Sequence, residues 1–238
     1  MKDDKLASIM NELEDFGNES TKKIFMKHGA PEPFFGVKVQ DLKKIQKRIK
    51  KDHPLALALY NTGNGDAMYL AGLIADEKQM DRKTLDNWVN NASWYMISEY
   101  TVPWIAADSG LGWSCGLEWI EAKDPKVASS GWAALAAHLS VCSPESTDIP
   151  MLKKLIKRVA SEIENAPNRV RYTMNGFLIA AGSYVESLSS LAMETAARIG
   201  KVHVEMAGTA CKVPDAATYI KKVADKGRTG KKRKMARC

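Results

Sequence analysis

Residues 88–105 read WVNNASWYMISEYTVPWI. This stretch sets three tryptophans and two tyrosines in eighteen residues, against an aromatic content of 8% for the whole chain, with one carboxylate, Glu99, among them. Read as a helix from about Ser93, Tyr95 and Glu99 stand one turn apart and share a face, while Trp94, Ile97 and Thr101 turn another way. An acid flanked by rings suits the holding of negative charge beside something flat, cationic or both. The same spacing also describes aromatics that fill a helical core next to a solvated glutamate.

On either side the chain is punctuated at helical intervals. Leu6, Ile9, Met10 and Leu13 recur every three or four positions, Gly17-Asn18 breaks the pattern, and Ser20 is placed to cap a second short helix. A loop around Phe34-Phe35, bounded by Pro31, Pro33 and Gly36, precedes a helix with Val39, Leu42, Ile45 and Ile49 on one side. Its other side carries Lys43, Lys44 and Lys47, a basic face that reads either as solvated or as DNA-facing. Further helices are expected over 55–60, 67–75 and from Arg82 into the aromatic stretch, where Pro103 starts a turn or kinks the helix. Beyond it come 109–122, 126–139, 151–164, a helix entered by Arg169 and Arg171 that runs to Tyr184, then 186–199 and 214–226, with a short extended piece at 202–204. About a dozen helices in consecutive pairs predict an all-α, right-handed solenoid over residues 1–225.

The net charge of +7 is concentrated at one end. Residues 226–238, KGRTGKKRKMARC, hold seven basic side chains and no acid, and without those seven the chain is balanced at 28 basic against 28 acidic residues. With Gly227 and Gly230 interrupting any helix, this segment is expected to be a flexible tail whose Lys231, Lys232, Arg233 and Lys234 contact phosphates. There is no apolar run of the length a membrane span needs, and acids occupy the N-terminus where a signal peptide needs basic residues; a cytoplasmic monomer is expected. The four cysteines are scattered singly, so no metal and no cofactor are expected.

The helical setting and its motifs resemble the AlkD-type DNA alkylation repair glycosylases, built of HEAT-like repeats. Phe35-Gly36-Val37 before the basic helix is similar to that family's early FLG-I segment. Ala92-Ser93-Trp94-Tyr95, then Glu99 and Val102-Pro103, resembles its central tryptophan-rich motif, and Asp124 and Gly176-Phe177-Leu178 stand at the next two. The resemblance implies removal of N3- and N7-alkylated purines from double-stranded DNA by an Asp, two Trp and an Arg on a concave basic surface. At the matching positions this sequence has Glu99 for the Asp, Tyr95 and Phe177 for the tryptophans, and Ser130 or Gly131 for the arginine.

An N-alkylated purine is already cationic and leaves without a general acid, so the site must stabilise an oxocarbenium-like sugar and place a water. Glu99 fits that task, although its extra methylene moves the charge, and an Å-scale displacement costs on the order of 100-fold. Tyr95, Trp94 and Phe177 would meet the lesion, with Arg169 or Arg171 replacing the missing arginine at the backbone. Three functions follow: a glycosylase acting through Glu99, a non-catalytic protein that recognises distorted or branched DNA, and a protein-binding solenoid.

Overall fold

The computed structural model describes residues 2–206, 208 and 211–237, with the side chains of residues 2 and 3 left aside. Among the described residues the chain forms thirteen α-helices and no strand. They are α1 (Lys2–Asp15), α2 (Glu19–Lys27), α3 (Val39–Ile49), α4 (His53–Asn61), α5 (Gly65–Ile74), α6 (Arg82–Asn91), α7 (Val102–Asp108), α8 (Gly112–Trp119), α9 (Pro125–Val141), α10 (Ile149–Glu162), α11 (Asn168–Tyr184), α12 (Ser189–Ile199) and α13 (Ala216–Asp225). The expected extended piece at 202–204 is irregular backbone instead.

Consecutive helices pack as pairs, α4 on α5, α6 on α7, α8 on α9, α10 on α11 and α12 on α13. The second members stack in turn, α5 on α7, α7 on α9, α9 on α11 and α11 on α13, and form one continuous layer. Its inner helices α5, α7, α9 and α11 are largely buried all round, which is what a layer covered on more than one side requires, while α13 at its end is amphipathic. All ten residues of α5 are buried, and α9 and α11 are rich in Ala, Gly and Ser. Small residues set the approach. A Cβ on Gly72 of α5 would lie 2.3 Å from Thr101 Cγ2, and one on Gly131 of α9 would lie 2.5 Å from the Ile120 backbone nitrogen.

Caps start most of these helices as the sequence leads one to expect. The first of them differs from expectation: Asn18, not Ser20, caps α2, its side-chain oxygen accepting from the Thr21 N–H at 3.0 Å. Asp52, Asp81, Asp124, Asp148 and Asp215 play the same part for α4, α6, α9, α10 and α13. Asp66 does something further. Buried in the first turn of α5, its carboxylate accepts the backbone N–H groups of Phe35, Gly36 and Val37 at 2.6, 2.9 and 3.1 Å, and so ties the diphenylalanine loop to the second repeat. Asp66→Asn keeps the shape but loses an anionic acceptor, and is expected to lower unfolding stability by about 1–2 kcal/mol. Urea titration with the loop tryptophan neighbour Trp94 as fluorescent probe measures it.

Candidate nucleic-acid interface

The aromatic stretch is not one helix. α6 ends at Asn91, the chain turns through 92–94, and Met96–Thr101 then form one turn of π-helix that runs directly into α7. Wide turns of this kind are uncommon and gather at functional positions. Thr101 supports this one by donating its hydroxyl to the Met96 carbonyl at 3.1 Å. Tyr95 and Glu99 do converge, as the one-turn spacing predicts, and what lies between them is Arg169 at the start of α11. Its Nε donates to Glu99 Oε1 at 2.7 Å and its Nη2 to Oε2, a two-pronged pair. The guanidinium lies between two rings, 4.6 Å from the centroid of Tyr95 and 4.4 Å from that of Tyr172.

This pair is nearly dry. The Glu99 side chain is 2% exposed and that of Arg169 26%. Burial pushes the Glu99 carboxyl above its usual range while the Arg169 bonds act against that rise. Burial also acts to lower Arg169, and its bonds to Glu99 together with that carboxylate's charge and the neighbouring tyrosines leave it raised. A carboxylate already bonded through both oxygens to a guanidinium has little charge left to offer a third group.

Glu99 sits at the floor of a cleft of about 920 Å³ that opens between the inner helices and the C-terminal segment. Trp104, Tyr172, Tyr184 and Tyr219 supply its rings, and Lys222, Lys226, Arg228 and Lys231 supply charge. The segment that closes one side is the basic one. Gly227 and Gly230 adopt positive φ, 60° and 77°, and interrupt the helix as expected. The turns send the chain back across the array instead of releasing it, which corrects the expectation of a flexible tail.

The segment crosses the C-terminal ends of four stacked helices in order. Gly230 N–H donates to the Ser183 carbonyl of α11 at 2.9 Å, Arg233 N–H to Ser140 of α9 at 2.7 Å, and Lys232 Nζ to Leu139 of α9 at 2.8 Å. Ala236 N–H then donates to Asp108 of α7 at 2.6 Å. Arg237 ends the strap, buried. It pairs with Asp108 at 2.9 Å and Glu77 at 2.5 Å, and reaches the α5 carbonyls of Gly72, Leu73 and Ala75. Helix C-termini carry unpaired carbonyls and partial negative charge, so a basic strand laid across them is doubly favoured.

A family model for the DNA alkylation repair enzyme matches residues 9–220 of this chain. It belongs to the DNA alkylation repair enzyme family. Two proteins of unassigned function resemble it along nearly their whole length. One from Listeria monocytogenes is 34% identical over 221 residues, covering 90% of this chain and 95% of the other, and one from Listeria innocua is 33% identical over the same shares. A solved structure superposes with a TM-score of 0.87 at 36% identity, covering 98% of this chain and 99% of that one. It represents a family of proteins related to the HEAT-like repeat DNA glycosylases with affinity for branched DNA structures.

For a member of the DNA alkylation repair enzyme family, several site residues expected from the sequence lie elsewhere. Phe177 has no exposed surface and packs edge-on against Trp132 at 5.2 Å, inside the core between α9 and α11, so it cannot meet a base. Trp94 is half-buried against Phe25 at 5.3 Å and Tyr95 at 5.0 Å. Neither Ser130 nor Gly131 leaves room for an arginine, since Ser130 has no exposed surface and Gly131 lies against the end of α8 and its following turn. Arg169 reaches the carboxylate from α11 instead. The two terminal nitrogens of Arg171 donate to the carbonyls of His203 and Ala166 and hold the loop after α12. Lys43, Lys44 and Lys47 are exposed on α3, away from the cleft, and Lys44 pairs with Asp41. Of the four strap cations expected to touch phosphate, Lys232 is committed to a helix end, and burial lowers its pKa. Lys231, Arg233 and Lys234 stay exposed. The sequence reading missed Tyr172, Tyr219 and Lys222, whose spacing on α11 and α13 is that of any amphipathic helix.

No helix among the described residues is long and apolar enough to cross a membrane. Among the same residues no group of three or more His, Cys, Asp or Glu could hold a metal ion.

Proposed function

We propose that this chain binds DNA, branched DNA foremost, through the basic and aromatic cleft, and that it does not excise bases. The observation that carries this reading is the Glu99–Arg169 pair. In a glycosylase acting on alkylated purines the carboxylate must face the developing sugar cation with its charge uncompensated. Here both oxygens are bonded to a guanidinium that is itself held between Tyr95 and Tyr172. The likeness to a structure whose family has affinity for branched DNA supports the same reading. On it the protein acts as a monomer and Glu99 orients Arg169, which joins α11 to the aromatic stretch.

Excision of N3- or N7-alkylpurines through Glu99 is the competing reading, and Glu99's place at the floor of the cleft is what favours it. Incubation with methylated duplex DNA and chromatography of released bases separates the two. The expected result is no 7-methylguanine or 3-methyladenine above the uncatalysed background, together with retained binding to a three-way junction. Release by the wild type that disappears in Glu99→Gln would reverse the assignment.

Backbone charge should dominate the affinity. Changing Lys222, Lys226 and Lys231 together to Ala removes up to three phosphate contacts. The slope of log K against log salt is then expected to flatten by about 2–3 units, at about 0.9 per contact. Titrations at several salt concentrations with a labelled junction give the slope.

A further inference from the structure

The cleft combines two features that duplex contact alone does not need. Its cations Lys222, Lys226, Arg228 and Lys231 lie on the rim formed by α13 and the strap, while Trp104, Tyr172, Tyr184 and Tyr219 line its interior from α7, α11 and α13. Tyr219 is 48% exposed, one of the few large apolar side chains left so open. Among the described residues, no acid lines the cavity apart from Glu99, which is paired with Arg169. Aromatic rings beside a row of cations, one of them as exposed as Tyr219, are the arrangement by which proteins hold single strands. Each base stacks on a ring whatever its identity, and the charges follow the phosphates.

Size points the same way. Clefts of up to about 1,000 Å³ take molecules of drug size, which is the scale of one or two nucleotides. At about 920 Å³ the cleft belongs to that class. The strap matters here because it forms one wall, held by the bonds of Gly230, Lys232, Arg233, Ala236 and Arg237 to the helix ends.

We propose that this cleft is a binding site for unpaired nucleotides, the single-stranded arm or splayed bases of a branched DNA, with Tyr219 and its neighbouring rings as the stacking platform. The proposal rests on the DNA-binding reading above and specifies which part of the DNA enters. Paired arms follow the cations of α13 and the strap at the cleft's edge, and the unpaired strand turns inward among the rings.

Three junctions of identical paired arms test it: one fully paired, one with a short unpaired thymidine arm, and one whose unpaired arm consists of abasic sugar-phosphates. With wild-type protein the thymidine arm should tighten binding about 10-fold over the abasic arm, the worth of one or two stacked bases. Tyr219→Ala, at an exposed position, should remove the preference for the thymidine arm over the abasic arm, read as the ratio of the two affinities in the same variant. A fluorescent 2-aminopurine in the arm should be quenched by wild type and less so by the variant. Equal affinity for thymidine and abasic arms would overturn the proposal while leaving the DNA-binding reading intact, as would a Tyr219→Ala loss spread evenly over all three junctions. Failure of the protein to bind any of the three would overturn both.

Discussion

Arg237→Met is expected to cost about 3–5 kcal/mol of unfolding stability, the typical penalty for removing one partner of a buried ion pair. The side chains of Arg237 and Asp108 are 7% and 6% exposed, and the same guanidinium also serves Glu77 and three carbonyls at the end of α5. Methionine fills similar space but leaves Asp108 charged and dry, and orphans the helix end. Much of the loss should return in the double variant Arg237→Met, Asp108→Asn, because the unpaired charge is then gone. Chemical denaturation of wild type, both single variants and the double variant measures the coupling. A loss below about 1 kcal/mol in the single variant would mean that the strap does not hold the array together. The same experiment opposes a common expectation for basic termini, that they can be cut away without cost.

The second large effect is expected at the centre of the aromatic stretch. Arg169→Ala leaves Glu99 buried without its partner and should cost about 3 kcal/mol, toward the low end of the range because water from the cleft can reach the carboxylate. Glu99→Gln should cost less. The glutamine still offers an oxygen to Arg169, and the guanidinium is partly exposed and can be solvated.

The pH dependence supplies a sharper test. Burial already raises the Glu99 carboxyl, and loss of the guanidinium raises it further. A carboxyl whose folded pKa lies above its unfolded value binds more protons folded than unfolded across the window between the two. Its contribution is therefore fully present below the unfolded value and is lost as pH rises through the folded one. Arg169→Ala should thus recover part of its stability as pH falls from about 7 toward the unfolded carboxyl value of about 4.3, relative to wild type at each pH. Thermal unfolding of both proteins across that interval checks the sign. A deficit independent of pH would mean that Glu99 is not the group left unpaired.

Much of this protein was legible in its sequence. Periodicity and punctuation are local properties: Gly17-Asn18 ending one helix, Asp124-Pro125 starting another and Leu152, Leu155, Ile156 and Val159 on one face of α10 each act within a turn or two of the chain. The all-α pairing follows from them, and so does the one-turn relation that brings Tyr95 and Glu99 to the same guanidinium. What only the tertiary structure decided depends on partners far apart along the chain. Phe177 and Tyr172 both belong to α11, and which of them faces the core and which the cleft was settled by where α9 packs. Glu99 is bonded through both oxygens because Arg169, seventy positions later, reaches it. Residues 226–237 carry the composition of a loose basic tail, yet they are a docked strap, because their acceptors are the spare carbonyls and buried acids at the ends of α5, α7, α9 and α11. Those acceptors come into line only when the helices stack, and no stretch of sequence contains them together.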